Sequence, residues 1–155
     1  MIRLDPVDLR ILQALQEDSS LSNVELARKV NLSASPTLAR VKHLEASKVI
    51  ARYVALVDPP MLGLKVNVFI QVSLEKQESG ALALFEKAVS HFDEVMEVYL
   101  MTGDADYLLR IVVPDIQALE SFILNHLTKI PGIKNIRSSF ALKQVKYKTA
   151  LPISS

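Results

Sequence analysis

Apolar positions along this chain follow a helical period over the first third, then alternate between strand and helix periods. Val7, Ile11, Leu12 and Leu15 recur at helical spacing. Asp5, Pro6 and Asp8 supply a cap, a first-turn proline and an early negative charge. Together they predict a helix over Leu4–Asp18. Ser22 and Glu25 form a capping-box signature ahead of Val24, Leu26, Ala27 and Val30. Asn31 follows where the chain must turn sharply, and asparagine tolerates the left-handed backbone. Ser33 or Ser35 can then cap a further helix, with Pro36 tolerated in its first turn. Ser22–Ala46 therefore reads as two helices joined by a tight turn. With the helix before them they make a helix-turn-helix domain. On the third helix, Leu38, Val41 and Leu44 are the expected buried stripe. Ser35, Ala39, Arg40 and His43 are expected outward, with Lys42 at the edge.

Ile50–Val57 is rich in β-branched and aromatic residues and predicts a strand, stopped by Asp58-Pro59-Pro60. Met61–Lys65 reads as linker. This divides the chain into a helix-turn-helix domain over 1–50, strand and linker over 51–64, and a second domain over 65–155. Val66, Val68, Ile70, Val72 and Leu74 alternate with Asn67, Phe69, Gln71 and Ser73, the period of a strand. A helix is expected over Gly80–Phe92, strands over Val95–Thr102 and Tyr107–Val113, and a helix over Ile116–Lys129. A long strand is expected from Ile133 to Tyr147. Gly63, Gly80, Gly103 and Gly132 fall between these elements. The order β-α-β-β-α-β is ferredoxin-like, with both helices on one face of an antiparallel sheet. The fold class is α+β, with a winged-type helix-turn-helix in front. Val95–Met101 and Tyr107–Val113 are apolar on both faces, so the face without helices is expected to be covered by a second copy.

Composition narrows the function more by distribution than by totals. Half of the 155 residues are hydrophobic, enough to bury a core, and the net charge is only +1. Between Arg28 and Arg52, however, stand Arg28, Lys29, Arg40, Lys42, Lys48 and Arg52 against Glu45 alone. A local basic excess in a near-neutral chain is the footprint of a nucleic-acid-binding segment. Small residues with Arg, Lys and His outward suit a helix entering the major groove. The absence of cysteine excludes disulfides and thiolate chemistry. With no apolar leader and no bilayer-length apolar run, a cytoplasmic location and no membrane partner are expected. Catalysis has little support: there is no nucleophile elbow, phosphate-binding glycine loop or metal-ligand cluster, so no catalytic residue, cofactor or metal is expected. His91 and His126 fall near helix ends, where a cation is favoured; His43 suits either a DNA contact or plain solvation. Gly103-Asp104-Ala105-Asp106 has the composition of a hairpin turn.

These segments together resemble the Lrp/AsnC, or feast/famine, transcriptional regulators. The resemblance rests on LDPVDLRILQALQED at Leu4–Asp18, SNVELARKVNLSASPTLARVKHLE at Ser22–Glu45 and TGDADYLL at Thr102–Leu109. It continues in IPGI at Ile130–Ile133 and SFALKQVK at Ser139–Lys146. It implies a sequence-specific regulator whose first domain binds double-stranded DNA. The second would dimerise, assemble further to a tetramer or octamer, and sense a free amino acid. Arg40, Lys42 and His43 would then face the groove, and Ser33, Ser35 and Thr37 would contact phosphate or base edges near the helix start. Family members bind amino acids around the Gly103 turn. There a zwitterion would take backbone donors from Thr102, Gly103 and Asp104 and a carboxylate from Asp104 or Asp106. Leu100, Met101, Ile130 and Ile133 would line its apolar end. Asp106 can alternatively hold the turn's shape. Two departures stand out: Asn31 and Lys48 occupy positions where relatives usually carry glycine. Two rival readings share the architecture. One is a sirohaem decarboxylase-like enzyme, which would need Arg110, Arg137, His91 and His126 gathered round a tetrapyrrole; the other is an amino-acid-sensing module without DNA binding.

Overall fold

The computed structural model describes residues 3–153 and divides into two compact units. One contains the chain up to Leu56 together with the segment from Val145 onward; the other is Val57–Gln144. The C-terminal segment thus joins the first unit rather than the second, unlike the boundary read from sequence.

In the first unit, α1 (Pro6–Glu17), α2 (Asn23–Lys29) and α3 (Ala34–Ala46) follow the expected order. Both predicted start signals form. The Asp5 carboxylate accepts from the Val7 and Asp8 N–H groups while Asp8 reaches back to the Asp5 N–H. Ser22 and Glu25 cap α2 in the same reciprocal way. Asn31 turns the chain with φ 58°, and the Leu32 N–H closes the turn on the Ala27 carbonyl at 2.9 Å. Ile11, Ala14, Leu26, Val30 and Leu44 form the core, with Leu12, Leu15 and Val41 packed against it.

The stripe on α3 differs from the expected one. Leu38 is exposed, and Thr37 is fully buried in its place. Thr37 Oγ1 donates to the Ser33 carbonyl at 2.9 Å, so its one polar group is satisfied inside the helix and the side chain can turn inward. The strand expected over Ile50–Val57 does not form; residues Ala51–Val57 are exposed, outside helix and strand, so the described residues contain no wing strand.

A 3-10 turn (Pro59–Leu62) leads into the second unit: β1 (Val66–Leu74), α4 (Ser79–Val89), β2 (Val95–Leu100), β3 (Tyr107–Val113), α5 (Ile116–Asn125), a 3-10 turn (Leu127–Lys129) and β4 (Ile133–Phe140). The sheet order is β2-β3-β1-β4 with every pair antiparallel, the ferredoxin-like arrangement. Val68, Ile70, Val72 and Leu74 of β1 and Tyr107, Leu109, Ile111 and Val113 of β3 share a core with Phe85 and Val89 of α4 and Leu119 and Phe122 of α5. Gly80 lies inside the first turn of α4 rather than between elements, whereas Gly103 and Gly132 take positive φ of 120° and 86°. β4 ends at Phe140, and Leu142–Thr149 continues exposed and outside any strand, shorter than the strand predicted to Tyr147. The face without helices carries Phe69, Leu108, Val112 and Tyr99, but also Gln71 and an Arg110–Glu97 ion pair at 3.3 Å. It is more polar than the strand pattern suggested.

Candidate functional site: a recognition helix and a pinned turn

The first candidate site is the outer face of α3. Ser33 is its N-cap but makes no side-chain cap bond, and Ser33, Ala34 and Ser35 are all exposed. The first-turn N–H groups of Ala34 and Ser35 are consequently free to meet an anion, favoured there by the helix dipole. Asn23 Nδ2 donates to the Ala34 carbonyl at 2.8 Å and fixes this end of α3 against α2. Lys42 and His43 are exposed farther along, with Ala39 between them and the helix start. The structure thus brings together Ser33, Ser35, Lys42 and His43 on accessible surface.

Two expected members do not join them. Thr37 is buried with its hydroxyl committed to Ser33, so it has no group to offer a ligand. Arg40 is not free either: its Nη1 lies 2.6 Å from Asp5 Oδ2 and 2.7 Å from Asp8 Oδ1. The hydrogen bonds that Arg40 donates to Asp5 and Asp8 raise its pKa. The Asp5 carboxyl is held below its usual range, first by the Asp8 N–H and then by Arg40.

The second candidate site is the loop from Met101 to Asp106. Its two acidic residues part company. Asp106 is buried: Oδ2 accepts from the Leu74 N–H at 2.7 Å and Oδ1 from Gln77 Nε2 at 2.5 Å. Its backbone N–H bonds the Val72 carbonyl, and its carbonyl accepts from Met101. Asp104 is exposed, with Ser73 Oγ on its carbonyl at 3.4 Å. Thr102, Gly103 and Asp104 donate no backbone hydrogen bond among the described residues. Asp106 is therefore the alternative foreseen, a residue that holds the turn, and the donors around it are left open.

The Ile130–Ile133 segment reaches the same end of the sheet, because Glu75, next to Leu74, donates its N–H to the Gly132 carbonyl at 2.8 Å. Within it, Ile133 is partly buried opposite Leu74, but Ile130 is a core residue packed under the helices and cannot line an open site. Leu100 and Met101 are exposed beside the turn.

The tetrapyrrole arrangement is not assembled. Arg110 and Arg137 lie on the helix-free face of the sheet, opposite Phe69 and Gln71 in register. His91 closes α4 with Nδ1 2.6 Å from the Lys87 carbonyl. His126 caps α5 and stacks near Phe92 and Phe122 at centroid distances of 5.3 and 5.9 Å. The four groups are divided between opposite sides of the sheet. Among the described residues no helix is long and apolar enough to cross a membrane.

Comparison with known proteins bears on both sites. Residues 4–45 match the AsnC-type helix-turn-helix domain and residues 67–151 the Lrp/AsnC ligand binding domain. The chain is 48% identical over 153 residues to the Bkd operon transcriptional regulator of Pseudomonas aeruginosa, covering 99% of this chain and 100% of that one. It is 36% identical over 152 residues to the leucine-responsive regulatory protein of Escherichia coli, covering 98% and 93%. The crystal structure of a transcriptional regulator in complex with L-Met from Neisseria meningitidis superposes with a TM-score of 0.93 at 39% identity, covering 97% of each chain. Both halves, the matched models and the full-length relatives agree: the chain belongs to the Lrp/AsnC family of DNA-binding transcriptional regulators.

Proposed function

We propose that this regulator reads DNA with the exposed face of α3 and senses an α-amino acid at the Thr102–Asp106 turn. The observation that carries the effector half is the division of labour between the two aspartates. Asp106 is consumed in holding the turn, which leaves Asp104 and the N–H groups of Thr102, Gly103 and Asp104 as complementary partners for a zwitterion. Exposed Leu100 and Met101 and half-buried Ile133 favour an apolar side chain over a charged one. On α3, Lys42 and His43 supply cationic or hydrogen-bonding reach, and Ser33 and Ser35 flank the open helix start.

The helix-free sheet face is the dimer interface in this reading. It presents Phe69, Tyr99 and Leu108 and leaves Asn67 Oδ1 buried without a hydrogen-bond partner among the described residues. A dimer would set two copies of α3 on half-sites about one helical turn or a multiple apart. Further assembly, to tetramer or octamer, would let the effector bias how several such pairs are spaced. No enzymatic step is needed, and the separated Arg110, Arg137, His91 and His126 offer none for a tetrapyrrole.

The test is a thermal-shift screen of the twenty amino acids on the full chain, followed by titration of Asp104→Ala. An amino acid present at one hundred times its dissociation constant raises native stability by about 2.7 kcal/mol. Asp104→Ala should lose that shift and keep basal DNA binding. Equal affinity in wild type and Asp104→Ala would place the effector elsewhere.

A further inference from the structure

The Arg40 contacts close a ring rather than a simple pair. Asp5 and Asp8 are the N-cap and third residue of α1, and each divides its two carboxylate oxygens between two jobs. Asp5 Oδ1 accepts from the Val7 and Asp8 N–H groups at 2.8 and 2.9 Å, and Asp8 Oδ2 from the Asp5 N–H at 3.1 Å. The remaining oxygens, Asp5 Oδ2 and Asp8 Oδ1, both accept from the same nitrogen of Arg40. All four oxygens are thereby used, and Arg40 joins the middle of α3 to the first turn of α1, 32 and 35 residues away. Asp8 is only 8% exposed, so Arg40 cannot swing toward DNA without leaving a buried carboxylate unpaired.

We infer that Arg40 is a positioning residue that fixes the recognition helix against α1, and that it is not a DNA contact. Two aspartates around one guanidinium make the cluster net negative, and the Nη1 that could meet a phosphate is already shared between them. Its removal should tilt or loosen α3 without changing the number of phosphates neutralised. The inference rests on α3 being the DNA-reading helix. It separates Arg40 from Lys42, two turn-neighbours on a basic helix that sequence cannot tell apart.

The test uses the full chain on a duplex selected by the wild-type protein from a random library, with affinity measured across salt. Arg40→Gln and Asp8→Asn should each weaken binding about tenfold or more. The double variant should be no weaker than the poorer single, because both break one ring. The slope of log affinity against log salt should stay at the wild-type value in all three, whereas Lys42→Ala should flatten it by about 0.9. Arg40→Lys keeps the charge, but its ammonium sits one bond nearer the backbone than Nη1 and is not held by a guanidinium plane, so it should remain impaired. Should Asp8→Asn fail to fold, Asp5→Asn gives the same pattern in smaller measure. Three results would overturn the assignment: a flatter salt slope in Arg40→Gln, wild-type affinity in Arg40→Lys, or Arg40 and Asp8 effects that simply add. An unchanged slope in Lys42→Ala would instead count against α3 as the reading helix, while the Arg40–Asp8 coupling in thermal stability still reports the ring.

Discussion

Asp106→Ala should destabilise the C-terminal unit strongly, and Asp104→Ala hardly at all, although the two residues are neighbours in one turn. Asp106 is the buried acceptor for the Leu74 N–H, itself a buried backbone donor with no alternative partner in the register of β1. Removing the carboxylate strands that N–H and also frees Gln77. An unsatisfied buried donor costs about 1–3 kcal/mol, and bonds to charged groups lie toward the upper part of that range. Taking about 2 kcal/mol, a unit of this size should melt roughly 8–16 °C lower. Asp104 is exposed and its side chain holds nothing among the described residues, so its removal should stay within about 0.5 kcal/mol of wild type. Asp106→Asn keeps one acceptor oxygen and should fall between. Thermal unfolding followed by circular dichroism, with and without the amino acid that shifts the wild type, reads both effects at once. The expected pattern is a lower melting point with impaired ligand response for Asp106→Ala, and an unchanged melting point with lost response for Asp104→Ala. A wild-type melting point in Asp106→Ala would refute the assignment of that carboxylate to holding the turn.

Lys48 sits at φ 61° after the end of α3, so Lys48→Gly should stabilise the N-terminal unit by about 1 kcal/mol, measured by denaturant unfolding. Tyr107 donates to Glu86 at 2.7 Å, and burial followed by that bond raises its pKa well above the ordinary value of 10.0. A raised folded pKa means that its contribution is complete below about pH 10 and is lost as pH rises beyond it. Absorbance titration of the tyrosines should accordingly show Tyr107 ionising only with unfolding, and Tyr53 ionising late, raised to about 12 by burial and Glu45. Truncation after Lys148 should lower the stability of the N-terminal unit. It removes the Leu151 N–H to Gln16 bond at 2.6 Å and the Gln13 to Ile153 bond at 2.7 Å, together with one wall of a cavity of about 620 Å³ beside Leu12 and Leu15. An unchanged unfolding midpoint in the truncated chain would show the tail to be idle there.

Much of the architecture was legible because its signals are local. The cap at Asp5 and the capping box at Ser22 need only residues within one turn, and the strand Val66–Leu74 alternates between core and open face. What the pattern misread depends on partners distant in sequence or on internal satisfaction. β-propensity over Ile50–Val57 and Leu142–Tyr147 reports side chains that suit a sheet, not the presence of a neighbouring strand, and in the single chain neither segment has one. Thr37 displaced Leu38 from the core because a hydroxyl bonded to the carbonyl four residues back no longer counts as polar.

Arg40 shows the same limit at the site itself. A basic residue on a basic helix looks like a DNA contact when only its own helix is considered, and Lys42 carries the same label. The distinction lies in Asp5 and Asp8, which read in sequence as an ordinary helix start, a cap and a first-turn negative charge. Only the packed structure shows that capping occupies one oxygen of each carboxylate and leaves the other pair facing α3. The start signal of the first helix and the orientation of the third are therefore one device. A substitution at Asp8 should be felt in DNA binding although that residue is buried and lies on another helix.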